Sequence, residues 1–501
     1  VNSFPEQEIS ELISQLQADP DSYQANARLG LIMSQIRVLQ LQAKPHITKA
    51  LSFNYRDDYR KHLLDSLSHI SLLEGNLQGA TDIQHQARME FPEIADLAYR
   101  EGDLLFRLGR IEESSEIFRE ANHRLEDPSG SIVPHRLEPA EVTRGFYGEM
   151  CGKLDIYIKA RELGLIERTD TYLVAPHDSI SSPRLMDYWA DHLNVVEAEE
   201  HLPSNCRPYY LDYYTLPDGR TLQRDVAHRR VQQLWTEAGR APLLSLKEED
   251  RDRGETLLTK LGMPDDAWHV VLHVREAGYF GEDSPWNHNR HRNSQIDTYI
   301  PAIKAITDRG GWVFRIGDPS MEVLPDMPGV ISAAHADWRA DWTDIFLIAS
   351  ARFYFGMASG PSTIPMSFGI PILGTNWIPL GPWTNGQKDL FMPKVLRNKS
   401  DGRILSLKEA LTPPLFGTFE PALLDTFDII PEDNSPDDLR DAAVEMMDRL
   451  EGTFSLSGDD EELQNAIQSM ADPLDVGATP LMARDFLRRH PQLAGLGTAV
   501  T

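Results

Sequence analysis

The chain has 501 residues, of which 41% are apolar and 25% charged, an ordinary composition for a folded protein and enough for about three domains. Its 77 acidic and 49 basic side chains leave a formal charge of −28, which excludes general nucleic-acid binding and adsorption to anionic membranes but allows a local basic pocket. Cys151 and Cys206, the only cysteines, are too few for a disulfide framework or a cysteine-rich zinc site, and no run reaches the ~18 apolar residues of a membrane span. Val1–Pro5 carries no basic, then apolar, leader pattern, so the expected location is cytoplasmic, with reduced thiols.

The first ~125 residues read as helical, from apolar residues at i, i+3 and i+4. They contain a repeat: Leu73-Glu-Gly75-Asn-Leu77-Gln-Gly-Ala80 aligns with Arg107-Leu-Gly109-Arg-Ile111-Glu-Glu-Ser114 at an offset of 34 residues. At the same offset Ile83 pairs with Ile117 and Ala87 with Ala121, and a degenerate unit is expected near Tyr23–Ile36. A 34-residue helix-turn-helix period resembles the tetratricopeptide repeat, with glycine reversing the turn and small residues letting helices approach. One clear pair is short of a free-standing array, so this domain should lean on another part of the chain.

Glu126–Arg136, with its cluster Asp127-Pro-Ser-Gly-Ser-Ile-Val-Pro134, reads as a linker, and strands then alternate with helices. Lys153–Leu163 should be a helix ended by Gly164, Thr171–Ala175 a buried strand, Leu185–His192 a helix, Asn194–Val196 and Tyr209–Thr215 strand-like, Ala227–Ala238 and Lys247–Leu261 helices. The most regular stretch follows: strand Trp268–Val274, a long charged loop Arg275–Asn293, a helix opened by a Ser294…Asp297 capping box and running to Arg309, strand Trp312–Ile316, a third strand at Val330–Ser332, helix Asp341–Ser350, strand Arg352–Gly356, a tight turn at Ala358–Ser362 into a short helix ended by Gly369, and strand Ile370–Leu373. Ser435-Pro-Asp-Asp438 opens a helix over Leu439–Leu450, and Ala483–Arg489 is the last helix. The alternation implies parallel sheets with right-handed crossovers, and ligands at the carboxyl ends of strands. The expected architecture is α/β, with two Rossmann-like domains at 137–265 and 266–415, a helical tetratricopeptide-like domain at 1–127, and C-terminal helices at 416–501 packing across the lobes.

The chemistry gathers at strand ends. Arg275 leaves the first regular strand where a guanidinium suits bidentate contact with phosphate; His273 shares its face of the strand, and Glu276 is a candidate base or a partner for Arg275. Ser359, Gly360 and Ser362 open a short helix whose free N–H groups and hydroxyls suit phosphate. Arg315 and Asp318 leave the next strand, where Asp318 suits a ribose hydroxyl or a base and Arg315 a phosphate or a base, and Asp344 on the following helix is a further candidate for the base or ribose. The loop Phe280–Arg292 is locally basic, with Trp286, His288, Arg290, His291 and Arg292, and lacks a third ligand to make a metal set. His177 and Asp178 leave strand Thr171–Ala175 and are candidates for a base acting on an acceptor hydroxyl; Gly148, Gly152 and Lys153 are candidates for the acceptor border, beside the reading of a structural turn. The sequence carries no Walker-A, G-x-G-x-x-G, G-x-S-x-G or H-E-x-x-H motif, and no suitably placed D-x-D.

The series VVLHVRE, YIPAIKAITDRGGWVFRIGDPS and DWTDIFLIASARFYFGMASGPSTIPMSFGIPILGTN resembles a family of bacterial glycosyltransferases linked to surface-polysaccharide or modification clusters, some with tetratricopeptide-like N-termini. The resemblance spans roughly 140–490 and is most specific at 268–376. It implies a GT-B fold with the nucleotide-sugar held by the second Rossmann-like domain. His273-Val-Arg275 also resembles the strand-end motif of O-fucosyltransferase-type enzymes, which implies that Arg275 meets the donor β-phosphate; the following residue is Glu276, outside the usual H-x-R-R or H-x-R-x-G-D forms. The implied activity is glycosyl transfer from a nucleotide-sugar to a glycan, lipid-linked or protein acceptor, with no metal, no separate cofactor, no nucleic acid, and a protein partner for the N-terminal repeats. The alternatives are a GT-B-like sugar-nucleotide epimerase or hydrolase, and a scaffold with a silent nucleotide-sugar domain.

Overall fold

The computed structural model describes residues 5–36, 39–123, 132–137, 147–209, 211–280, 290–381, 386–412, 415–417, 421–471 and 480–495. The sequence readings at 126–131 and over most of the basic loop, Trp286 and His288 included, lie outside the described residues. The chain divides into two compact units, 1–124 with 412–429, and 125–411 with 430–501.

The first unit is helical: α1 (Glu6–Ala18), α2 (Tyr23–Gln35), α3 (Gln40–Leu51), α4 (Asp58–Leu73), α5 (Leu77–Glu90), α6 (Ala95–Arg107) and α7 (Ile111–His123). The 34-residue offset is physical. Gly75 and Gly109 both reverse the chain at φ +76°, a left-handed conformation that favours glycine. Ala80 and Ser114 are both fully buried at the crossing of their helix pair. The two pairs are tied by the same contact with donor and acceptor exchanged: the Ser68 hydroxyl donates to the Ala80 carbonyl (2.8 Å), and the Ser114 hydroxyl to the Gly102 carbonyl (2.7 Å). The short array does lean on another part of the chain. Leu423, in the helix Pro421–Thr426, is buried with Leu72, Ala80 and Leu104; the Thr426 hydroxyl donates to the Leu73 carbonyl (2.9 Å); and Phe416 packs on Phe106 with ring centroids 5.7 Å apart.

The second unit holds two wholly parallel sheets. The smaller comprises β1 (His135–Leu137), β2 (Thr171–Val174), β3 (Asn194–Val196) and β4 (Arg207–Tyr209), in the order β3-β2-β1-β4. β1 lies in a stretch that the sequence reading gave to a linker. The predicted strand Tyr209–Thr215 splits instead: Arg207–Tyr209 joins the sheet, while β5 (Tyr213–Thr215) turns at Pro217–Gly219 and pairs antiparallel with β6 (Thr221–Gln223). The larger sheet comprises β7 (Trp268–His273), β8 (Gly311–Arg315), β9 (Val330–Ser332), β10 (Phe353–Gly356), β11 (Ile372–Trp377), β12 (Leu390–Pro393) and a short strand Leu481–Met482. Its order, from that short strand inward, is β12-β11-β10-β7-β8-β9. Counted from β7 this is the doubly wound order 3-2-1-4-5-6, whose direction of winding reverses between β7 and β10. The runs at β7, β10 and β11 are buried on both faces almost throughout, as in parallel sheets covered on both sides.

Helix α8 (Tyr147–Glu162) starts six residues before the predicted Lys153, so Gly148, Gly152 and Lys153 lie within a helix and not in a turn. Within this unit α8 packs on the turn that follows β10: a Cβ added at Gly148 would stand 3.2 Å from the Gly360 Cα, and one at Gly152 3.8 Å from the Thr363 methyl. A second tie joins the loop after β2 to the helix Asp341–Ala349, whose Asp341 accepts from the Ser182 hydroxyl (2.5 Å) and the Arg184 N–H (2.7 Å). The expected capping box at Ser294 does not form. A 3₁₀ turn at Ile296–Tyr299 precedes the helix Ile300–Thr307, and the Ser294 hydroxyl donates to Asp433. The capping signature at Ser435 does form, with Ser435 accepting from the Asp438 N–H at 3.2 Å.

Candidate functional site

The reversal of winding falls between the carboxyl ends of β7 and β10, the position where doubly wound sheets hold ligands. β7 delivers His273 to that edge, in register with Gly356 of β10. His273 is buried, its Nδ1 lies 3.1 Å from the Ser359 hydroxyl, and burial with the nearby Arg275 and Arg315 lowers its pKa to about 4. It is therefore neutral near pH 7 and acts as a hydrogen-bonding tie between the two strand ends. Ser362 is turned inward as well, its hydroxyl donating to the Ser359 carbonyl (2.7 Å) and accepting from the Ser359 N–H (3.3 Å). Its donor is thus taken by the turn, against the expectation that it faces phosphate. Gly360 opens the 3₁₀ turn Gly360–Thr363 against α8.

Arg275 stands one residue past Val274, beyond the end of β7, and burial lowers its pKa. Arg292 lies beside it. The Arg292 Nη2 donates to the Ala358 carbonyl in the β10 exit (2.7 Å), and burial, then the charge of Arg275, lowers its pKa to about 9. Lys394, one residue past β12, is a third cation. Its pKa is lowered by burial and by Arg275 and held up by Asp433, to which its Nζ donates at 2.6 Å. Three cations held together in a chain of formal charge −28 form an electropositive patch suited to a polyanion.

Glu276 and Arg315 are engaged with each other. Arg315 is fully buried; its guanidinium pairs with Glu276 and donates to the Glu322 carbonyl, while Glu276 also accepts from the Glu322 N–H at 2.7 Å. The expectation that Arg315 contacts a base or phosphate is corrected: its Nη1 and Nη2 hold the exits of β7 and β8 together, and only the buried Nε has no partner among the described residues. Glu276 is likewise occupied, which disfavours it as a base. Asp318 accepts from the Ser320 N–H (2.7 Å) through one oxygen, and its other, buried oxygen has no partner among the described residues. Asp344, in the first turn of the helix Asp341–Ala349, is 5% exposed; its Oδ1 also has no partner among the described residues, and burial raises its pKa to about 6. Both aspartates follow carboxyl ends of the larger sheet.

The first-half candidates are less convergent. His177 and Asp178 lie in an exposed 3₁₀ turn after β2, with the His177 N–H donating to Glu197 (3.2 Å). Lys153 lies 3.4 Å from Asp212. The sequence reading missed Lys394 and Asp433. The available signal was Leu390–Pro393, an apolar run followed at once by lysine, which repeats the strand-then-cation pattern of β7 and Arg275. Among the described residues no group of three or more His, Cys, Asp or Glu could hold a metal ion, and no helix is long and apolar enough to cross a membrane.

No protein-family model and no curated protein sequence matches the chain. Among solved structures, MamA is similar at 19% identity over 23% of this chain, with a TM-score of 0.21; the match spans 61% of MamA, less than two thirds of its length. A family 9 glycosyltransferase from Veillonella parvula is similar at 12% identity over 49% of this chain and 80% of its own, with a TM-score of 0.25. A Thermobaculum terrenum O-GlcNAc transferase variant is similar at 11% identity over 96% of this chain and 94% of its own, with a TM-score of 0.26. The similar structures thus include glycosyltransferases and MamA.

Proposed function

We propose that the chain is a glycosyltransferase that takes a sugar from a nucleoside-diphosphate donor. The observation that carries this reading is the set Arg275, Arg292 and Lys394 on the carboxyl side of the larger sheet, with Arg275 following a strand at which the winding reverses. In transfer, the acceptor hydroxyl oxygen forms a bond to the anomeric carbon as the bond from that carbon to the β-phosphate oxygen breaks. The electron pair leaves with the diphosphate, and the acceptor proton passes to a base. The three cations are placed to stabilise the charge that develops on the leaving diphosphate, in a buried setting where electrostatic effects are strong. Ser359 and the backbone at Gly360 border the same phosphates. Asp318 and Asp344, each with an unpartnered carboxylate oxygen, are the groups for the ribose and base. His177 and Asp178 remain the candidates for the base, because they leave the carboxyl end of the smaller sheet. Gly148 and Gly152 serve as close-approach residues for the phosphate-side turn, which replaces the acceptor role first given to them; Lys153 stands toward Asp212.

The acceptor class is a glycan, a lipid-linked glycan or a protein, and the helical unit is the place to present it or a protein partner. That unit contains a groove of about 1020 Å³ lined by charges of both signs, among them Arg28, Asp58, Asp65, Arg100 and Asp103. The test is a thermal-shift panel of UDP, GDP, ADP, CMP and TDP with and without magnesium. A selective rise in Tm that disappears in Arg275→Ala supports the reading through linkage of binding to stability. No shift with any nucleotide at millimolar concentration, from protein that is folded, overturns it.

A further inference from the structure

Behind the cation patch runs a hydrogen-bonded chain that touches no reacting atom. Asp433, on the approach to the helix Pro436–Glu451, uses its two oxygens on two different elements. Oδ1 accepts from the Lys394 Nζ (2.6 Å), and Oδ2 accepts from the Ser294 hydroxyl (2.6 Å). The Lys394 Nζ also donates to the Asn293 carbonyl (2.7 Å), and the Ser294 N–H donates to the Arg275 carbonyl (3.0 Å). Segment 292–294 is thereby pinned between the backbone of Arg275 on one side and Asp433 with Lys394 on the other.

The anchor is itself held. Asn376, at the end of β11, has a φ of +47°, a left-handed conformation uncommon for a residue with a side chain. It persists because Asn376 and Asn434 exchange side-chain-to-backbone bonds: the Asn376 N–H donates to the Asn434 side chain (2.6 Å) and the Asn434 N–H to the Asn376 side chain (2.5 Å). The Asn376 amide also donates to the Ser294 hydroxyl (3.2 Å) and the Tyr299 hydroxyl (2.9 Å). Lys394, Asn376 and Asn434 are each at most 3% exposed, whereas the Asp433 side chain is 34% exposed, so the anchor stands at the solvent rim of a buried scaffold. Burying mutually repelling cations is unfavourable unless something fixes them, and this network holds the Lys394 side chain, the Arg275 backbone and Asn293, the residue next to Arg292.

We propose that Asp433 is the positioning residue of the cation patch, holding Arg292 against Arg275 through Ser294 and fixing Lys394 directly. This rests on reading the patch as a diphosphate site. The sign of one measurement separates positioning from charge. By Coulomb's law alone, removing a carboxylate beside an anion site tightens anion binding. Loss of positioning weakens it.

The experiment is calorimetric titration of the full chain with inorganic pyrophosphate at fixed ionic strength. The wild type binds, and Arg275→Ala abolishes binding. Asp433→Ala, which removes both anchors, weakens binding tenfold or more. Ser294→Ala, which leaves the Lys394 pair intact, weakens it three- to tenfold with little change in Tm. If Asp433→Ala fails to fold, Ser294→Ala decides alone. Binding to the wild type that is lost in Arg275→Ala, but unchanged or tighter in the folded Asp433 and Ser294 variants, overturns the positioning role and leaves the diphosphate site standing. No binding of pyrophosphate or of any nucleoside diphosphate to the wild type overturns both.

Discussion

Asp344→Asn should stabilise the protein at neutral pH while weakening its hold on donor. Asp344 is 5% exposed, its Oδ1 lacks a partner among the described residues, and burial raises its pKa from 3.8 to about 6, with Arg339 opposing and Asp341 adding to the shift. A folded-state pKa above the unfolded value means that the ionised carboxyl opposes folding. The penalty builds between pH 3.8 and pH 6 and is complete above. Two decades of proton affinity at ~1.4 kcal/mol each give about 3 kcal/mol at pH 7.5, falling to about 1 kcal/mol at pH 4.5. The amide keeps the shape and removes the charge, so urea unfolding followed by tryptophan fluorescence should show a gain of about 2–3 kcal/mol at pH 7.5. The difference between the two pH values, about 2 kcal/mol, is independent of any penalty for burying the amide itself. A variant no more stable at pH 7.5, or one with the same gain at both pH values, refutes the reasoning. Stability gained together with donor affinity lost is the pattern of a residue kept for binding.

Three further outcomes follow from particular contacts. Gly148→Ala should place a methyl 3.2 Å from the Gly360 Cα and push the Ser359–Ser362 turn, so nucleoside-diphosphate affinity should fall severalfold in titration while Tm changes little; unchanged affinity would detach α8 from the site. Leu423→Ala should cost about 2–5 kcal/mol in the helical unit, because Leu423 is fully buried against Leu72, Ala80 and Leu104, and hydrogen exchange should rise in α4–α6 first. His269 and His273 are buried with pKa values lowered from 6.5 to about 4, so each is stable when neutral, and stability should fall as pH drops from 6.5 toward 4, by up to about 3 kcal/mol per histidine. His269→Gln can keep a donor to the Leu347 carbonyl, which His269 contacts at 2.9 Å, and should flatten that acid slope in urea titrations at pH 7 and pH 4.5.

The elements most legible in the sequence were those whose pattern is local. The 34-residue offset could be read because Gly75 and Gly109 fall where the chain must turn left-handed and Ala80 and Ser114 where helices cross. β7, β10 and the helix between Asp341 and Ala349 were legible because strands buried on both faces read as apolar runs. What failed was long-range. Ser294 and Asp297 have the spacing of a capping box, yet the serine hydroxyl goes to Asp433, 139 residues away, since a charged acceptor outcompetes a local N–H. β1 was given to a linker because three residues, His135–Leu137, carry too little periodicity to count, although parallel pairing on both edges makes it a central strand. The clasp of Leu423 on the helical repeats, some 350 residues from Leu72 and Leu73, is invisible to any local rule.

The site shows the same division one level up. Arg275 was found because a strand delivers it, and strand direction is a local property. Arg315 satisfies the same criterion and proves to be a tie, since its neighbour in the sheet supplies Glu276 as a partner; two cations at adjacent strand ends differ in role according to which one the carboxylate reaches. Lys394, two strands beyond β10, and Arg292 come to Arg275 only because parallel strands end on one side of the sheet and because Asp433 and segment 292–294 bridge the gap. A cluster of cations of this kind is therefore a property of the sheet's winding: each contributing residue is unremarkable in its own segment, and the charge density appears when the segments are ordered. That is why mutation of the anchor, and not of a cation alone, discriminates between a patch built to hold phosphate and three cations left together by packing.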